Sequence, residues 1–457
     1  MMLETLAQRV LPSQLYETMR GWRARLAPKG SPRDRLAGAV LWSGTAVGIS
    51  NVAGLVVGVA LAHMLGREGY GEVGVIVASC TLFTTLGGLG LGVTATKYAA
   101  QMRSRHPDRV GRFVGGILVL ATLSSLIVAL VVALSAPELA RVLNRPGLVA
   151  ALRLAAIVLL LQGIDSVQMS ILAGFEAFAA LARVMLLRPL IHLPATIVGA
   201  YVYGLEGVVG AMILSTLFTV LLHRAALRAV LVGAGASLSY AVDLAQVRPF
   251  WEVSLPAFLT TAVTLAATWG LNALLVNQPD GYLHMGLFNA ANQWRALGTF
   301  IPSVFNPATF SIQSNLFATN RASYHRSVIG NLVVQSTVAA GVAMVLTLSS
   351  PYLMRVYGTQ FQSAAEVLAL LAWGWFLVAP SGAFWTAAVS RDQAWTNLLF
   401  LAVGTVSQFV FAMAWASSGA PGIALALLYG GLIQVGLQAI HYYATRRRDR
   451  ARDVLTV

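Results

Sequence analysis

Charge and cysteine are both scarce in this 457-residue sequence. Charged residues make up 11% of the chain against 57% hydrophobic residues, and only 17 residues are acidic. A soluble globular domain carries about 25% charged residues, so the composition excludes an ordinary soluble fold. The mean hydropathy of +0.72 agrees with that exclusion. Cys80 is the single cysteine, which rules out an intramolecular disulfide and a cysteine metal cluster.

Long apolar stretches fill most of the chain instead. A helix needs about 20 apolar residues to cross a hydrocarbon core about 30 Å thick, and in lipid the backbone must satisfy its own hydrogen bonds, so the stretches are predicted to be α-helices. Pro189 and Pro194 interrupt the fifth stretch. The predicted fold class is therefore an all-α integral membrane protein. Its twelve spans are 38–63, 74–97, 112–134, 149–173, 183–203, 207–227, 251–276, 285–306, 327–349, 364–389, 395–416 and 420–443.

The positions of the basic residues predict the orientation of the chain. Of the 31 Lys and Arg residues, 25 fall on one side of the predicted spans and five on the other. Because Lys and Arg concentrate in cytoplasmic loops, both termini are predicted to lie on the cytoplasmic side of the membrane. The net charge of +14 is explained by topology and by attraction to anionic membrane lipids, which argues against a nucleic-acid partner.

Three short signatures recur in order at nearly constant offsets, which indicates an internal duplication. It predicts two homologous six-helix lobes around a central cavity, related by an axis along the membrane normal, with access alternating between the two sides. The predicted units are a basic segment 1–37, lobes 38–230 and 250–443, a linker 231–249 and a tail 444–457. The signatures are 137–142 with 351–356 (offset 214), 204–207 with 419–422 (offset 215) and 69–70 with 281–282 (offset 212).

The eighth predicted span holds a deep cation beside a polar face. Arg295 lies near its middle, where a lone charge costs about 2.5–3.5 kcal/mol on insertion scales. Asn289 and Asn292 precede it on nearly one helix face, and Gln293 neighbours Asn289 at i+4. Since a guanidinium binds phosphate through two parallel hydrogen bonds, these residues are predicted to bind a pyrophosphate in a wet cavity. The alternative for Arg295 is an interhelical ion pair or a cap on carbonyls freed at Pro302.

Other deep polar and aromatic residues are weaker candidates. Trp269 and Trp294 could stack on sugar rings, with core packing as the alternative role. Asp165 is the one carboxylate deep in a span, where it could relay protons or bind a coupling cation such as H⁺ or Na⁺. The favoured interpretation is a structural ion pair between Asp165 and Arg188, which lies at comparable depth. His192, one turn beyond Arg188, is interpreted as a packing residue.

Basic residues also gather where the second predicted span meets the cytoplasm. Lys97 and Arg103 belong to this cluster, which could recruit an anionic lipid-linked substrate at the cytoplasmic mouth. The simpler interpretation is that these charges only set the topology. Seven histidines are scattered along the sequence, and no spacing typical of a metal site or catalytic cluster is apparent, so the chain is predicted to be neither an enzyme nor dependent on a cofactor.

Several motifs resemble a known family. Leu65–Gly71 reads LGREGYG, Gly88–Gly92 reads GLGLG, and Lys97 is followed by Tyr98. These motifs are similar to those of the polysaccharide-transporter branch of the multidrug/oligosaccharidyl-lipid/polysaccharide (MOP) exporter superfamily. Gly88 departs from the pattern, which usually has Asp there. The resemblance implies two six-helix lobes facing a central cavity. The members of that family include flippases that move undecaprenyl-pyrophosphate-linked oligosaccharides for O-antigen or exopolysaccharide synthesis.

The sequence therefore predicts a flippase for lipid-linked oligosaccharide, with the inner membrane as its location. The resemblance makes a polysaccharide polymerase and chain-length proteins the candidate partners. The alternative is a cation-coupled exporter of drugs or small molecules from the same superfamily. That class depends on carboxylates buried in the N-terminal lobe, especially its first helix, and the first predicted span has none. A glycan-modifying enzyme or a complex scaffold is disfavoured because neither explains the duplication.

Overall fold

Helices account for the regular structure throughout the described part of the chain. The structure, a computed structural model, describes residues 32–105, 107–233, 235–236, 248–391 and 393–455. Nearly all of the predicted segment 1–37 and most of the linker 231–249 lie outside these residues, so those two predictions stay untested. The same holds for the exact boundaries of the two lobes.

The N-terminal lobe contains helices α1 to α6. Helix Pro32–Gly88 is divided at Gly66 into α1 (32–65) and α2 (67–88), and helix Leu91–Arg105 extends α2. Helix Phe178–Gly233 is divided at Gly204 into α5 (178–203) and α6 (205–233). Both glycines have positive φ, 70° and 58°, a conformation that costs glycine little. The remaining helices of this lobe are α3 (Pro107–Val142) and α4 (Val149–Gly174).

The C-terminal lobe repeats this arrangement with α7 to α12. Its helices are α7 (Arg248–Val276), α8 (Gly281–Thr319), α9 (Arg321–Arg355), α10 (Ala364–Val389, interrupted at Ala379), α11 (Ala394–Trp415) and α12 (Ala420–Leu455). Of the helices in the described ranges, nine are long and apolar enough to cross a membrane. Two of these nine helices each contain two spans, which makes eleven spans. Helix α8, whose side chains are only partly described, is the twelfth. The predicted twelve-helix, two-lobe membrane fold is confirmed.

The chain reverses direction at Gly66. On α1, the Gly54 carbonyl accepts a hydrogen bond from Gln293, and a Cβ on Gly58 would overlap the same side chain. On α2, a Cβ on Gly74 would overlap Asn289, one turn from Gln293. Gly58 and Gly74 each lie eight residues from Gly66 yet meet the same short stretch of α8. The two segments are therefore antiparallel and enclose one face of α8 between them.

Two predicted spans need correction. Pro189 and Pro194 do not interrupt the fifth span, because helix Phe178–Gly233 continues through both. The second span does not run from 74 to 97. It ends at Gly88, because Leu89 and Gly90 both have positive φ, 46° and 73°, and the helix then restarts at Leu91. The glycine-rich run there favours a break over a continuous helix.

The two lobes are joined near one end of the bundle by the carboxamide of Gln293 on α8. Its Oε1 accepts hydrogen bonds from the hydroxyls of Tyr70 (2.9 Å) and Tyr357 (2.8 Å), and its Nε2 donates to the Gly54 carbonyl (2.7 Å). Tyr70 is 6% exposed and Tyr357 is fully buried. Because each polar atom is satisfied inside the protein, the contact tolerates burial at little cost. We call this end, which holds turns 142–148 and 356–363, the outer end, following the predicted topology.

A second contact between the lobes lies beside turn 142–148. Tyr282 donates its hydroxyl to the Leu143 carbonyl (2.7 Å), and Asn277 donates to the Val142 carbonyl (2.7 Å). Arg145 stands over the Tyr282 ring at 5.4 Å. Its guanidinium also forms ion pairs with Glu68 (2.9 Å) and Glu72 (2.7 Å) on α2. We call these bonds and those of Gln293 the outer closure.

The outer closure has the symmetry of the duplication. Tyr70 and Tyr282, which are 212 residues apart, each open the second helix of a lobe. Tyr282 bonds the turn after α3 through Leu143, whereas the Tyr70 ring packs 6.1 Å from Tyr357 in the turn after α9. Leu143 and Tyr357 are themselves 214 residues apart. Equivalent tyrosines therefore contact equivalent turns across the interface between the lobes.

Replacing Gly58 by valine tests whether the closure depends on close helix approach. Gly58→Val should lower the melting temperature of the detergent-purified protein by several degrees, because overpacking a tight contact costs about 1–3 kcal/mol. Gly48→Val is the matched control on the same helix, since no atom lies within 4 Å of a Cβ at that position. Equal melting temperatures for the two variants would contradict the assigned packing.

Candidate functional site

A cavity of about 550 Å³ lies between the two lobes. Gln293 and Tyr70 of the outer closure belong to its wall, so the closure forms its roof. Its N-terminal wall comes from α1, α2, α4, α5 and α6, and its C-terminal wall comes from α7 and α8. Gly58 and Gly74 lack a side chain where Gln293 and Asn289 of α8 approach them, so the helices come close together near the roof. A central cavity between lobes is what the internal duplication predicted.

Arg188 is the only charged side chain among the described residues that line this cavity. It lies ten residues into α5, roughly 15 Å along the helix from its inner end. Arg188 is exposed and forms no ion pair with any residue that the structure describes. A permanent positive charge is costly next to lipid, and Arg188 faces the cavity between the lobes instead.

Neutral polar groups surround Arg188 on the N-terminal wall. Gln162 on α4 accepts a hydrogen bond from Thr84 (2.8 Å), which leaves its amide nitrogen for the cavity. His192, one turn beyond Arg188, shares a hydrogen bond of 3.1 Å with Ser215 and lines the same wall. His192 was interpreted as a packing residue, but it lies beside the cavity cation and belongs to the site.

The C-terminal wall supplies amides and an aromatic ring. Asn272, Asn289 and Asn292 face the cavity together with Trp269. The Trp269 indole donates to the Ser79 hydroxyl on α2 (2.9 Å), which fixes the ring across the two lobes. Asn289 donates to the Tyr70 carbonyl (3.2 Å). The structure thus brings Asn289, Asn292, Gln293 and Trp269 to the cavity as predicted, whereas Trp294 is not among its lining residues.

Arg295 does not line the cavity. Its Nε and a terminal nitrogen both donate to the Asn292 Oδ1, at 2.9 and 2.7 Å. Because a guanidinium can only donate, this bond fixes the orientation of the Asn292 amide and leaves its nitrogen for the cavity. Arg295 therefore contacts the cavity lining through Asn292, and the charged residue that lines the cavity is Arg188 rather than Arg295.

Asp165 and Arg188 do not form the predicted ion pair. The partner of Asp165 is His223 on α6, whose Nδ1 lies 2.8 Å from the Asp165 Oδ1. The predicted pair does not form because the two side chains point in different directions: Asp165 points toward α6 and Arg188 points into the cavity. Sequence spacing gives the depth of a residue in its helix but not which neighbour that face meets.

The two basic residues at the predicted mouth have different surroundings. Arg103 donates to the Phe175 carbonyl (2.6 Å) and pairs with Glu176 at 3.3 Å, so it ties the α2 extension to the turn between α4 and α5. Lys97 is exposed and lies 5.7 Å from the ring of Tyr98. Arg103 is therefore held in a contact between helices, whereas Lys97 forms no ion pair with any residue that the structure describes.

Residues that the sequence analysis missed are mostly tyrosines and small polar residues. Tyr70, Tyr282 and Tyr357 form the outer closure, and Gln162 and Asn272 line the cavity. The one signal in the sequence was the repeated Gly-Tyr pair, which indicated the duplication but did not by itself predict a contact between the lobes. Isolated Gln and Asn residues in apolar helices carry no pattern that distinguishes a cavity wall from a packed interface.

Comparisons with known proteins agree with this architecture. Residues 36–317 match the family described as polysaccharide biosynthesis protein. The Lipid III flippases of Escherichia coli K12 and Shigella flexneri are each 25% identical over 432 residues, or 90% of this chain and 99% of theirs. An inward-facing multidrug resistance MATE family transporter of the MOP superfamily has a TM-score of 0.77 at 16% identity, over 89% and 96% of the chains. An outward-facing structure of a MATE family transporter of that superfamily has a TM-score of 0.62 at 16% identity, over 92% of this chain and 97% of that chain.

The sequence, the lobes and the cavity all point to one family. The family match covers more than half of the chain, including the N-terminal lobe and the start of the C-terminal lobe. The structural likeness adds the two-lobe fold of the superfamily. This multi-pass membrane protein belongs to the polysaccharide biosynthesis protein family.

Proposed function

We propose that the protein is a flippase that moves lipid-pyrophosphate-linked oligosaccharide across the inner membrane, for O-antigen or exopolysaccharide synthesis. One observation carries the proposal: the lining of the central cavity holds a single described charge, Arg188, among neutral amides, hydroxyls and one indole. A site with an unpaired cation and neutral hydrogen-bonding groups fits an anionic head joined to a sugar. It does not fit a cationic drug, which would need an acidic partner.

The chemistry of each wall suits one part of such a cargo. The Arg188 guanidinium can bind a pyrophosphate through two parallel hydrogen bonds. Asn272, Asn289 and Asn292 offer amide donors and acceptors to sugar hydroxyls, and the face of Trp269 can stack on a sugar ring. At about 550 Å³ the cavity lies within the range of about 300–1,000 Å³ of a site that encloses a small ligand. It would hold the head of the cargo while the polyprenyl chain stays in the bilayer.

The outer closure supports loading from the cytoplasmic leaflet. The bonds of Gln293, Tyr282 and Asn277 join the lobes at the outer end. The fold also superposes better on an inward-facing structure (TM-score 0.77) than on an outward-facing one (TM-score 0.62). With both termini in the cytoplasm, the cavity would receive cargo from the inner leaflet and release it outside after the closure opens, by alternating access.

The curated relatives point to the same class of cargo. The two proteins that are 25% identical over nearly the full chain are named Lipid III flippases. A polysaccharide polymerase and chain-length proteins are the partners proposed to receive the flipped product. The glycan itself is left to experiment.

Removing the charge of Arg188 should stop transport. Arg188→Gln should reduce export about 10-fold to 100-fold, because a hydrogen bond to a charged group is worth about 1.5–3 kcal/mol. Arg188→Lys should keep part of the activity, since it retains the charge but loses the planar fork. The measurement is surface polysaccharide in cells that express each variant at equal membrane levels. Arg183→Gln, on the same helix but outside the cavity lining, is the control, and normal export by Arg188→Gln would exclude the assigned role.

Arg295 should affect export through Asn292. Arg295→Gln should reduce export about as strongly as Asn292→Ala, and the double variant should cost little more than either single one, because residues that act through one contact are not additive. The same surface polysaccharide measurement applies. Fully additive losses would show that Arg295 acts independently of Asn292.

Lipid analysis of cells that lack the protein tests the proposed function itself. Mass spectrometry of a lipid extract should show accumulation of a complete undecaprenyl-pyrophosphate oligosaccharide, with loss of surface polysaccharide and rescue by the intact gene. That pattern would also reveal the glycan. Normal surface polysaccharide without accumulation would favour export of drugs or other small molecules instead.

A further inference from the structure

A carboxylate and an imidazole are paired inside the N-terminal lobe, away from the cargo site. The Asp165 Oδ1 and the His223 Nδ1 are 2.8 Å apart, and the side chains are 18% and 4% exposed. Asp165 lies within the predicted span 149–173, eight residues from its inner end, and His223 lies within the predicted span 207–227, four residues from its inner end. A buried titratable pair inside membrane-spanning helices is expensive and is generally functional.

The charged residues near Asp165 and His223 determine whether these two side chains can bind a proton as a separate unit. The stretch of α2 that packs near the inner half of α4, residues 78–88, has no charged residue. The Asp165 carboxylate has no ion-pair partner other than His223 among the described residues. The basic side chains described near the inner ends of the helices packed around it are Lys97 and Arg103 on the α2 extension, Arg112 on α3, Arg183 and Arg188 on α5, and Arg224 and Arg228 on α6. Of these, Arg103 pairs with Glu176 rather than with Asp165.

The free nitrogen of the imidazole is the place for an exchangeable proton. A carboxylate only accepts hydrogen bonds, so the His223 Nδ1 carries the hydrogen that faces Asp165. The His223 Nε2 is buried and has no hydrogen-bond partner among the described residues. Without a proton on Nε2 the pair carries one negative charge, and with one it is neutral. Since burying a net charge is costly, protonation would favour a state in which the pair is sealed from water.

The pair is also linked to the cavity wall. Gln162 lies one turn from Asp165 on α4, lines the cavity and bonds Thr84 of α2. On α6, Ser215 lies about two turns from His223 and bonds the cavity residue His192. A change in the distance between α4 and α6 at Asp165 and His223 would therefore displace Gln162 and His192 in the N-terminal wall of the cavity.

We propose that Asp165 and His223 form the site that couples a proton gradient to transport. The inference rests on the proposed flippase function. With the lobes open to the outside, a proton from the outer solution binds the His223 Nε2 and neutralises the pair. After the lobes close at the outer end, the state described here, that proton leaves to the cytoplasm as cargo enters the cavity. One proton enters for each cargo exported, and no other bond changes.

Proteoliposomes allow coupling to be separated from cargo movement. The probe is a fluorescent short-chain polyprenyl pyrophosphate carrying a disaccharide, and pyranine reports the internal pH. Two rates are measured for each protein: probe movement driven by an imposed pH gradient, and probe exchange without a gradient. The variants are Asp165→Asn and His223→Gln. Ser166→Ala is the control, because that hydroxyl bonds only the Gly163 carbonyl of its own helix.

Both variants should lose gradient-driven movement and the linked pyranine signal about 10-fold or more, while exchange stays within about 3-fold of the unmodified protein. Asp165→Asn can keep the hydrogen bond to His223, so preserved exchange shows that the fold is intact. Gradient-driven movement that survives in both variants would overturn the proposal. So would an equal loss of both rates, which is the result expected of a structural contact.

The same two rates, measured on the unmodified protein, distinguish an error in the proton-coupling proposal from an error in the flippase assignment. Exchange of the probe with no response to the pH gradient would refute proton coupling and leave the flippase function standing. No movement of the probe under either condition would refute the flippase function, and the coupling proposal with it.

Discussion

The structure depends on how one neutral side chain is shared between the lobes. Gln293 belongs to the C-terminal lobe, yet it bonds the backbone of α1 and the hydroxyl of Tyr70 as well as Tyr357 of its own lobe. An amide can both donate and accept, so it can satisfy partners on two surfaces at once. A neutral contact can also open without exposing a buried charge, which suits the separation of the lobes in the proposed transport cycle.

The charged residues differ in whether they have an ion-pair partner, and this difference follows their position along the bundle. At the outer end, Arg145 is neutralised by Glu68 and Glu72, and near the inner end Arg103 is matched by Glu176. Within the bundle, Asp165 is matched by His223, and Arg188 is left for the cavity. The ion pairs join neighbouring helices, whereas Arg188 lines the cavity with no ion-pair partner among the described residues.

Much of the fold could be predicted, because its causes are local. Length and hydropathy fix the number of spans, and the repeated Gly-Tyr and Pro-containing turns revealed the duplication that the tyrosine contacts display. Errors arose where backbone conformation overrides hydropathy. The run around Leu89 is apolar enough to continue a helix but takes positive φ, and the helix through Pro189 and Pro194 stays intact because proline is tolerated in membrane helices when neighbours satisfy the freed carbonyl.

The sequence by itself determined that the chain spans the membrane, that it consists of two related halves, and that a few deep polar residues must lie away from lipid. The tertiary structure decided which of those residues meet. Arg295, Arg188 and Asp165 looked alike in sequence as isolated charges in apolar helices, but they face a neighbouring asparagine, the cavity and a histidine. The direction a helix face points is set by packing against distant segments, and a rotation of a few tens of degrees would exchange those partners without changing the hydrophobic pattern.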